Sequence, residues 1–394
     1  MESFDELFQV GYKLYNKALI RGATQVEVYI SIGESTEINY DNGIVETTNA
    51  QNFEISLRIA LNRKVGYAAT NIRSKDPEIF DNIIDNLVKT AINNARKNKE
   101  DPKFKCFAFP RSGVGLSIFD YNVADPDFDE LAEFLRDKIN NIEERDKRIR
   151  SQNLSIEMNW FRNIIVNTNG IEVSDEGTSV SFLINLSAKE EDYEAEGFEF
   201  AFSRRLSDLY KLAEDIEYTA MRKALDALYG EPLREKITGD LLVENFILID
   251  FLWPIFQHFS ALEVINNRSV FANKIKEKIA SDKLTIFDDG TNPQGLSASK
   301  YDLEGIPKSR NLLVDRGILR SFIYDTYTAY YTDKDSTGNA HRFGGEIYPD
   351  FWDIIIKGSK GDLDYLISLV DLSLIHISEP TRPRLISYAV FCLK

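Results

Sequence analysis

Histidine and cysteine are the scarcest of the chemistry-bearing residues, three and two in 394. His258, His341 and His376 stand far apart, and Cys106 and Cys392 form no C-x-x-C pair, so the spacing of a zinc finger is excluded. No GxxxxGK[ST] segment occurs, and Gly338-Asn339 opens no helix, so a glycine-rich phosphate cradle is excluded too. Positive charge is in deficit: 47 Lys and Arg face 63 Asp and Glu, for a net charge of -16. A surface of that sign disfavours the phosphate backbone, whose binding depends on Lys and Arg displacing counterions, so no nucleic-acid partner is expected. No run approaches the roughly 18 apolar residues of a membrane span. The amino terminus carries no basic and apolar leader. With Cys106 the one cysteine before residue 372, an internal disulfide is not expected, and a reducing, cytoplasmic setting without membrane contact is.

What is present is a pattern of helix-bounded strand clusters. Residues Phe4 to Arg21 place Leu7, Val10, Leu14 and Ala18 on one helical face. Strands are expected at Gln25 to Ser31, Thr36 to Tyr40, Phe53 to Asn62 and Lys64 to Thr70, then a helix from Pro77 to Arg96 and a polar boundary from Lys97 to Lys103. A second unit repeats the order: helix Asp127 to Arg145, strands Leu154 to Arg162, Ile164 to Asn167, Thr178 to Ala188 and Glu194 to Phe202, and helix Leu206 to Leu228. Both units contain an Asn-Gly-Ile turn, Asn42-Gly43-Ile44 and Asn169-Gly170-Ile171, followed by a long strand and a Gly-aromatic pair, Gly66-Tyr67 or Gly197-Phe198. A distant duplication is one account of this; the other is chance, since Asn-Gly turns are common in hairpins. The fold class expected is α+β: helix-flanked antiparallel sheets in units 1–105 and 106–230, then a β-rich, barrel-like domain over 231–371. In the last domain Leu241 to Ile249 reads as a strand and Trp253 to Leu262 as a buried helix or loop.

The stretch from Leu284 to Arg342 holds the most distinctive order of residues. Asp288-Asp289-Gly290 is followed by Tyr301-Asp302-Leu303-Glu304-Gly305-Ile306-Pro307, Gly317-Ile318-Leu319, Asp325-Thr326-Tyr327-Thr328-Ala329 and Ser336-Thr337-Gly338-Asn339-Ala340. It reads as short β segments, Leu284 to Phe287, Asn311 to Val314 and Ile318 to Tyr324, with Asp315-Arg316-Gly317 as a hairpin turn. This block resembles the carboxyl-terminal domain of the TldD/PmbA family of metallopeptidases, once named modulators of DNA gyrase. The metal-bearing branch of that family carries His-Glu-x-x-x-His upstream, two imidazoles for zinc and a carboxylate for general base. Here the matching stretch, Trp253 to Glu263, offers His258 alone. The chain therefore resembles the PmbA or TldE branch, which lacks the metal motif. That resemblance implies no metal ligands and no catalytic residues in this chain, with zinc in a metal-bearing TldD-like partner. Heterodimerisation with that homologue, or self-association, and action on unfolded or small peptides follow as expectations; the alternative is a homodimeric module that binds peptides without cleaving them.

From Leu372 the sequence LSLIHISEPTRPRLISYAVFCLK resembles the translation of a sequencing-library adapter, so residues 372–394 are expected to be non-native and the natural frame to continue differently. The candidate contacts to a peptide are Asp302, Glu304, Thr337, Gly338, Asn339 and His341. The polar loop at 337–341 offers backbone and side-chain groups of the kind that pair with an extended chain. Each has a plainer reading. Asp288, Asp289, Asp302 and Glu304 suit a cation or an acid/base pair, but carboxylates in turns more often accept backbone amides. A stand-alone hydrolase using Asp302 and Glu304 is the third option, and two carboxylates rarely cleave amides outside a dedicated dyad. His258, among Phe256, Phe259 and Leu262, suits a packed core imidazole, and Cys106, with no histidine near it in sequence, a structural thiol.

Overall fold

The computed structural model describes residues 3–41, 43–72, 77–113, 115–230 and 245–358, together with Tyr365 and Ser368. Asn42, residues 241–244 and everything from Asp371 onward, including the adapter-like tail, lie outside the described residues. The chain opens with α1 (Phe4–Ile20), started by a capping box in which Ser3 and Glu6 satisfy each other's backbone amides. Three strands follow, β1 (Gln25–Asp41), β2 (Ile44–Leu61) and β3 (Lys64–Asn71), and α2 (Pro77–Lys97) closes the unit. The second unit has a short α3 (Tyr121–Ala124), then α4 (Phe128–Arg145), β4 (Ile149–Asn167), β5 (Glu172–Glu190), β6 (Tyr193–Ser203) and α5 (Leu206–Ala227). Where the alternation of residues suggested broken pairs of short strands, 25–31 with 36–40 and 154–162 with 164–167, single strands of 17 and 19 residues run through.

The two units share one sheet. Its order is β3-β2-β1-β4-β5-β6, all antiparallel, and the join is the β1–β4 pair. It curls strongly, as a half-barrel. Each unit thus runs helix, three strands, helix, and pairing the first strand of one with the first strand of the other is what a twofold relation between the units produces. Helices cover one face in two separate cores. Leu7, Leu14 and Ala18 of α1 and Ile84, Val88 and Ala91 of α2 pack on Val26, Val28 and Ile30 of β1 and Ile55, Leu57 and Ile59 of β2. In the second unit Leu131, Leu135, Leu209 and Ala220 pack on Ile156, Phe182, Ile184 and Leu186.

The carboxyl-terminal domain begins among the described residues with α6 (Asn245–Phe256), a 3₁₀ turn at Gln257–Phe259 and α7 (Ala261–Ile265). The expected strand Leu241 to Ile249 is corrected here, because 245–249 are helical. Its run of apolar residues has no period of two, and such a run does not tell a strand from a buried helix. Two small antiparallel sheets follow. One is ordered β12-β7-β8-β9, from β7 (Thr285–Asp289), β8 (Arg310–Asp315), β9 (Ile318–Leu319) and β12 (Ile354–Lys357); the other pairs β10 (Ala340–Phe343) with β11 (Glu346–Pro349). The β8–β9 turn has Arg316 and Gly317 both at positive φ, 48° and 77°, as a two-residue primed turn requires. The expected strand Ile318 to Tyr324 keeps its ladder only to Leu319. The Asp325 to Ala329 motif opens α8 (Thr326–Thr332), with Asp325 as its N-cap. No helix among the described residues is long and apolar enough to cross a membrane.

Candidate functional site

Position 27 in β1 and positions 56 and 58 in β2 face away from the helices, and there the carboxyl-terminal domain covers the sheet. Glu27, Ser56 and Arg58 are consequently buried polar groups, and all must find partners. Arg342, at the centre of β10, supplies one: a terminal nitrogen lies 2.5 Å from Glu27 Oε1 and also donates to the Leu303 carbonyl at 2.9 Å, while the other donates to Ser56 Oγ at 3.1 Å. Arg58 lies 3.4 Å from the same Glu27 oxygen, reaches Glu304 Oε1 at 3.1 Å, and packs its guanidinium on the Phe107 ring. Glu304 Oε2 accepts the Thr326 amide at 2.9 Å, at the start of α8. Two guanidinium groups thus balance two carboxylates across the domain junction. A cavity of about 180 Å³ opens onto Arg58 and Glu304 beside Cys106 and Tyr327.

Asp302 lies next to this network and faces inward. Its Oδ1 accepts the amides of Glu304 and Ile306 at 3.0 and 2.9 Å, and its Oδ2 that of Ala340 at 3.1 Å, which folds the 302–306 loop onto β10. Burial first, then the neighbouring Glu304 carboxylate, push Asp302 up to about 8, the three amides pulling the other way. Asp325 caps α8, accepting the Thr328 amide at 2.7 Å and its hydroxyl at 2.6 Å; burial pushes it up to about 6. Asp288 receives the Asn339 amide group at 2.6 Å and the Trp352 backbone at 2.8 Å, and burial lifts it to about 6. Asn339 is fully committed: it also donates to the Asp350 carbonyl and accepts from Asn311 and Thr337.

Of the six residues singled out in the sequence, Asp302, Glu304 and Asn339 therefore hold loops together from inside. Gly338 sits at φ 74° with its carbonyl accepting the Trp352 indole at 2.7 Å; a side chain there would meet the Pro307 carbonyl. Thr337 caps the turn through Tyr324 and lines a larger cleft. His341 stacks on Trp352, with ring centroids 3.7 Å apart, and its buried Nε2 has no partner among the described residues. Burial, and then the charge of Lys308, pull the imidazole down to about 4. Lys308 lies 3.0 Å from the centroid of the Trp352 ring and donates to the Ser297 carbonyl at 2.7 Å; burial pulls it down to about 7 against the surrounding carboxylates.

A neutral buried imidazole makes stability depend on pH. The unfolded His341 takes up a proton near 6.5 and the folded one only near 4, so stability is complete above 6.5 and lost as pH falls toward 4. The advantage of wild type over His341→Gln is expected to shrink by up to about 3 kcal/mol between pH 7 and pH 4. Urea unfolding at the two pH values measures it; a gap that stays constant excludes the account.

Among the described residues the donor set around His258 does not fit a catalytic zinc, which takes about three protein ligands and an open position. The imidazole lies in the 3₁₀ turn with its edge against Phe271 at 5.9 Å. The nearest acidic candidate in sequence, Glu263, is held bidentately by Arg268 at 2.6 and 2.7 Å. No group of three His, Cys, Asp or Glu side chains among the described residues is arranged to hold a metal ion. The residues that sequence reading passed over are Glu27, Arg58 and Arg204. For Glu27 and Arg58 the signal was a charge inside an apolar strand, as in VEVYI and SLRIAL; Arg204, in FSRRLSD, carried no such signal. Arg204, at the end of β6, gives its guanidinium to the carbonyls of Thr178, Gly295, Leu296 and Ala298 and so ties the second unit to the same domain.

Family models of the PmbA/TldA metallopeptidase match in chain order: domain 1 over residues 26–95, the central domain over 121–228 and the C-terminal domain over 238–385. The chain is 28% identical over 364 residues to an uncharacterized protein of Methanocaldococcus jannaschii, covering 91% of this chain and 79% of that protein. It is 25% identical over 355 residues to a metalloprotease of the same archaeon, covering 87% and 73%. Among solved structures, TldE from Thermococcus kodakarensis superposes with a TM-score of 0.80 at 22% identity, over 92% of this chain and 80% of that one, a likeness of fold. With all three domains matched in order over most of its length, the chain belongs to the PmbA/TldD metallopeptidase family.

Proposed function

We propose that this chain is the metal-free, TldE-like subunit of a TldD/PmbA-type peptidase, working on unfolded or small peptides beside a metal-bearing homologue. The observation that carries the reading is the setting of His258, a single imidazole against Phe271 with Glu263 already engaged by Arg268. Water activation then belongs to the partner, and this chain shapes the enclosure. The half-barrel supports the need for a partner. In the first unit the sheet face opposite the helices is covered by the carboxyl-terminal domain, whereas in the second Leu183 and Phe202 stand 36% and 46% exposed on that face. Asp302 and Glu304 do not favour a hydrolytic pair, since both are buried and bonded to backbone or arginine.

The test uses the full chain, alone and mixed with a metal-bearing homologue. Elemental analysis should find no stoichiometric zinc in this chain, and an unstructured peptide should be cleaved only in the mixture, with chelator stopping the reaction. One zinc per chain together with chelator-sensitive turnover by this chain alone would overturn the assignment. Peptide binding without turnover in any mixture would favour the homodimeric binding module.

A further inference from the structure

A cavity of about 490 Å³ lies between residues 111–113 of the segment joining the two units, Thr291, residues 306–310 and residues 336–337. That volume falls within the range of about 300–1,000 Å³ found for ligand pockets. Two arginines, Arg111 and Arg310, line it together with the buried Lys308, and among the described residues no carboxylate does. In a chain where acids outnumber bases 63 to 47, this reverses the local sign. Arg111 meets the Ser336 carbonyl at 3.1 Å and Asp335 at 3.0 Å, but that Asp is 91% exposed, so the pair exchanges readily with solvent or a ligand. Arg310 rests on the Phe287 ring, with Nε 3.5 Å from Asp289, and its terminal nitrogens donate to no described residue. Lys308 is only 3% exposed, with its Nζ held by the Ser297 carbonyl.

We propose that this cleft binds a carboxylate carried by a peptide. A guanidinium fork meets a planar carboxylate with two parallel hydrogen bonds, and Arg310 has that edge uncommitted. Ile306 and Pro307 add apolar wall for the adjoining residue, and the acidic surface of the rest of the chain repels a polyanion such as nucleic acid. That the carrier is a peptide rests on the function proposed above; that the group is a carboxylate rests on the cleft. Two sources share the chemistry, the α-carboxylate at a peptide's end and the side chain of Asp or Glu.

Fluorescence anisotropy on the full chain distinguishes them, with three labelled unstructured peptides of otherwise equal sequence: a free carboxyl terminus, an amidated terminus, and an amidated terminus with one internal Asp. Either the first or the third should bind about tenfold or more tightly than the neutral amide, and which one does so names the source. The preference should vanish in Arg310→Gln and weaken in Arg111→Gln, with circular dichroism unchanged. Equal binding of all three peptides, or a preference that survives in the double variant, overturns the carboxylate site and leaves the peptide-handling role standing. Failure of the folded chain to bind any of the three overturns the carboxylate site, and cleavage by the mixture with a metal-bearing homologue then decides the peptide-handling role.

Discussion

Arg342→Met is expected to lower the unfolding free energy by about 3–5 kcal/mol, the range for stripping a buried carboxylate of its partner. Glu27 and the Arg342 side chain are 0% and 1% exposed, so no water replaces the lost bonds. Arg58 stays 3.4 Å from Glu27 and screens part of the charge, which places the effect toward the lower end. The Ser56 hydroxyl and the Leu303 carbonyl lose their donors as well. Because Glu27 and Ser56 belong to the half-barrel and Leu303 and Arg342 to the carboxyl-terminal domain, the same change should split a single urea transition into two. The double variant Glu27→Gln with Arg342→Met should recover stability, since no unpaired charge then remains buried. A loss below about 1 kcal/mol, or a double variant no better than the single, would show that this network does not bind the domains together.

The parts of the fold that sequence made legible are those decided by neighbours in the chain. The apolar face of α1 and the Asp315-Arg316-Gly317 turn each depend on residues a few positions apart. Asp325-x-x-Thr328 was also local, a cap that went unread because the surrounding turns suggested strands. The candidate site was legible as a place but not as a role. Its carboxylates and Asn339 stood out in one ordered block, yet what fixes them lies far off: Glu304 meets Arg58 across 246 positions and Arg342 meets Glu27 across 315. Nothing in a period of two distinguishes a strand face turned to water from one turned to a second domain. A charge in the middle of an apolar strand is the trace such a junction leaves, and Glu27 and Arg58 carried it.

The duplicated Gly-aromatic pairs yield the other large effect. A Cβ at Gly66 would stand 2.2 Å from the Ala95 nitrogen and 2.4 Å from the Ala91 carbonyl of α2. One at Gly197 would stand 2.3 Å from the Ala224 nitrogen and 2.5 Å from the Ala220 carbonyl of α5. In each unit the closing helix therefore sits directly on the third strand, and each time an Ala-x-x-x-Ala step faces the glycine. Neither glycine has positive φ, so close approach, not backbone freedom, sets the requirement. Since backbone atoms cannot rotate aside as a side chain can, Gly66→Ala and Gly197→Ala must lift the whole helix and are expected to cost about 3 kcal/mol or more each, at the upper end of overpacking penalties. Gly115→Ala, where the added carbon meets nothing within 4 Å, serves as the control and should stay within about 0.5 kcal/mol of wild type. Thermal and urea unfolding of the three variants compare them directly. Matched losses at 66 and 197 support two units built to one plan, whereas a loss at only one position would mean that the shared order of elements does not extend to how the helices are seated.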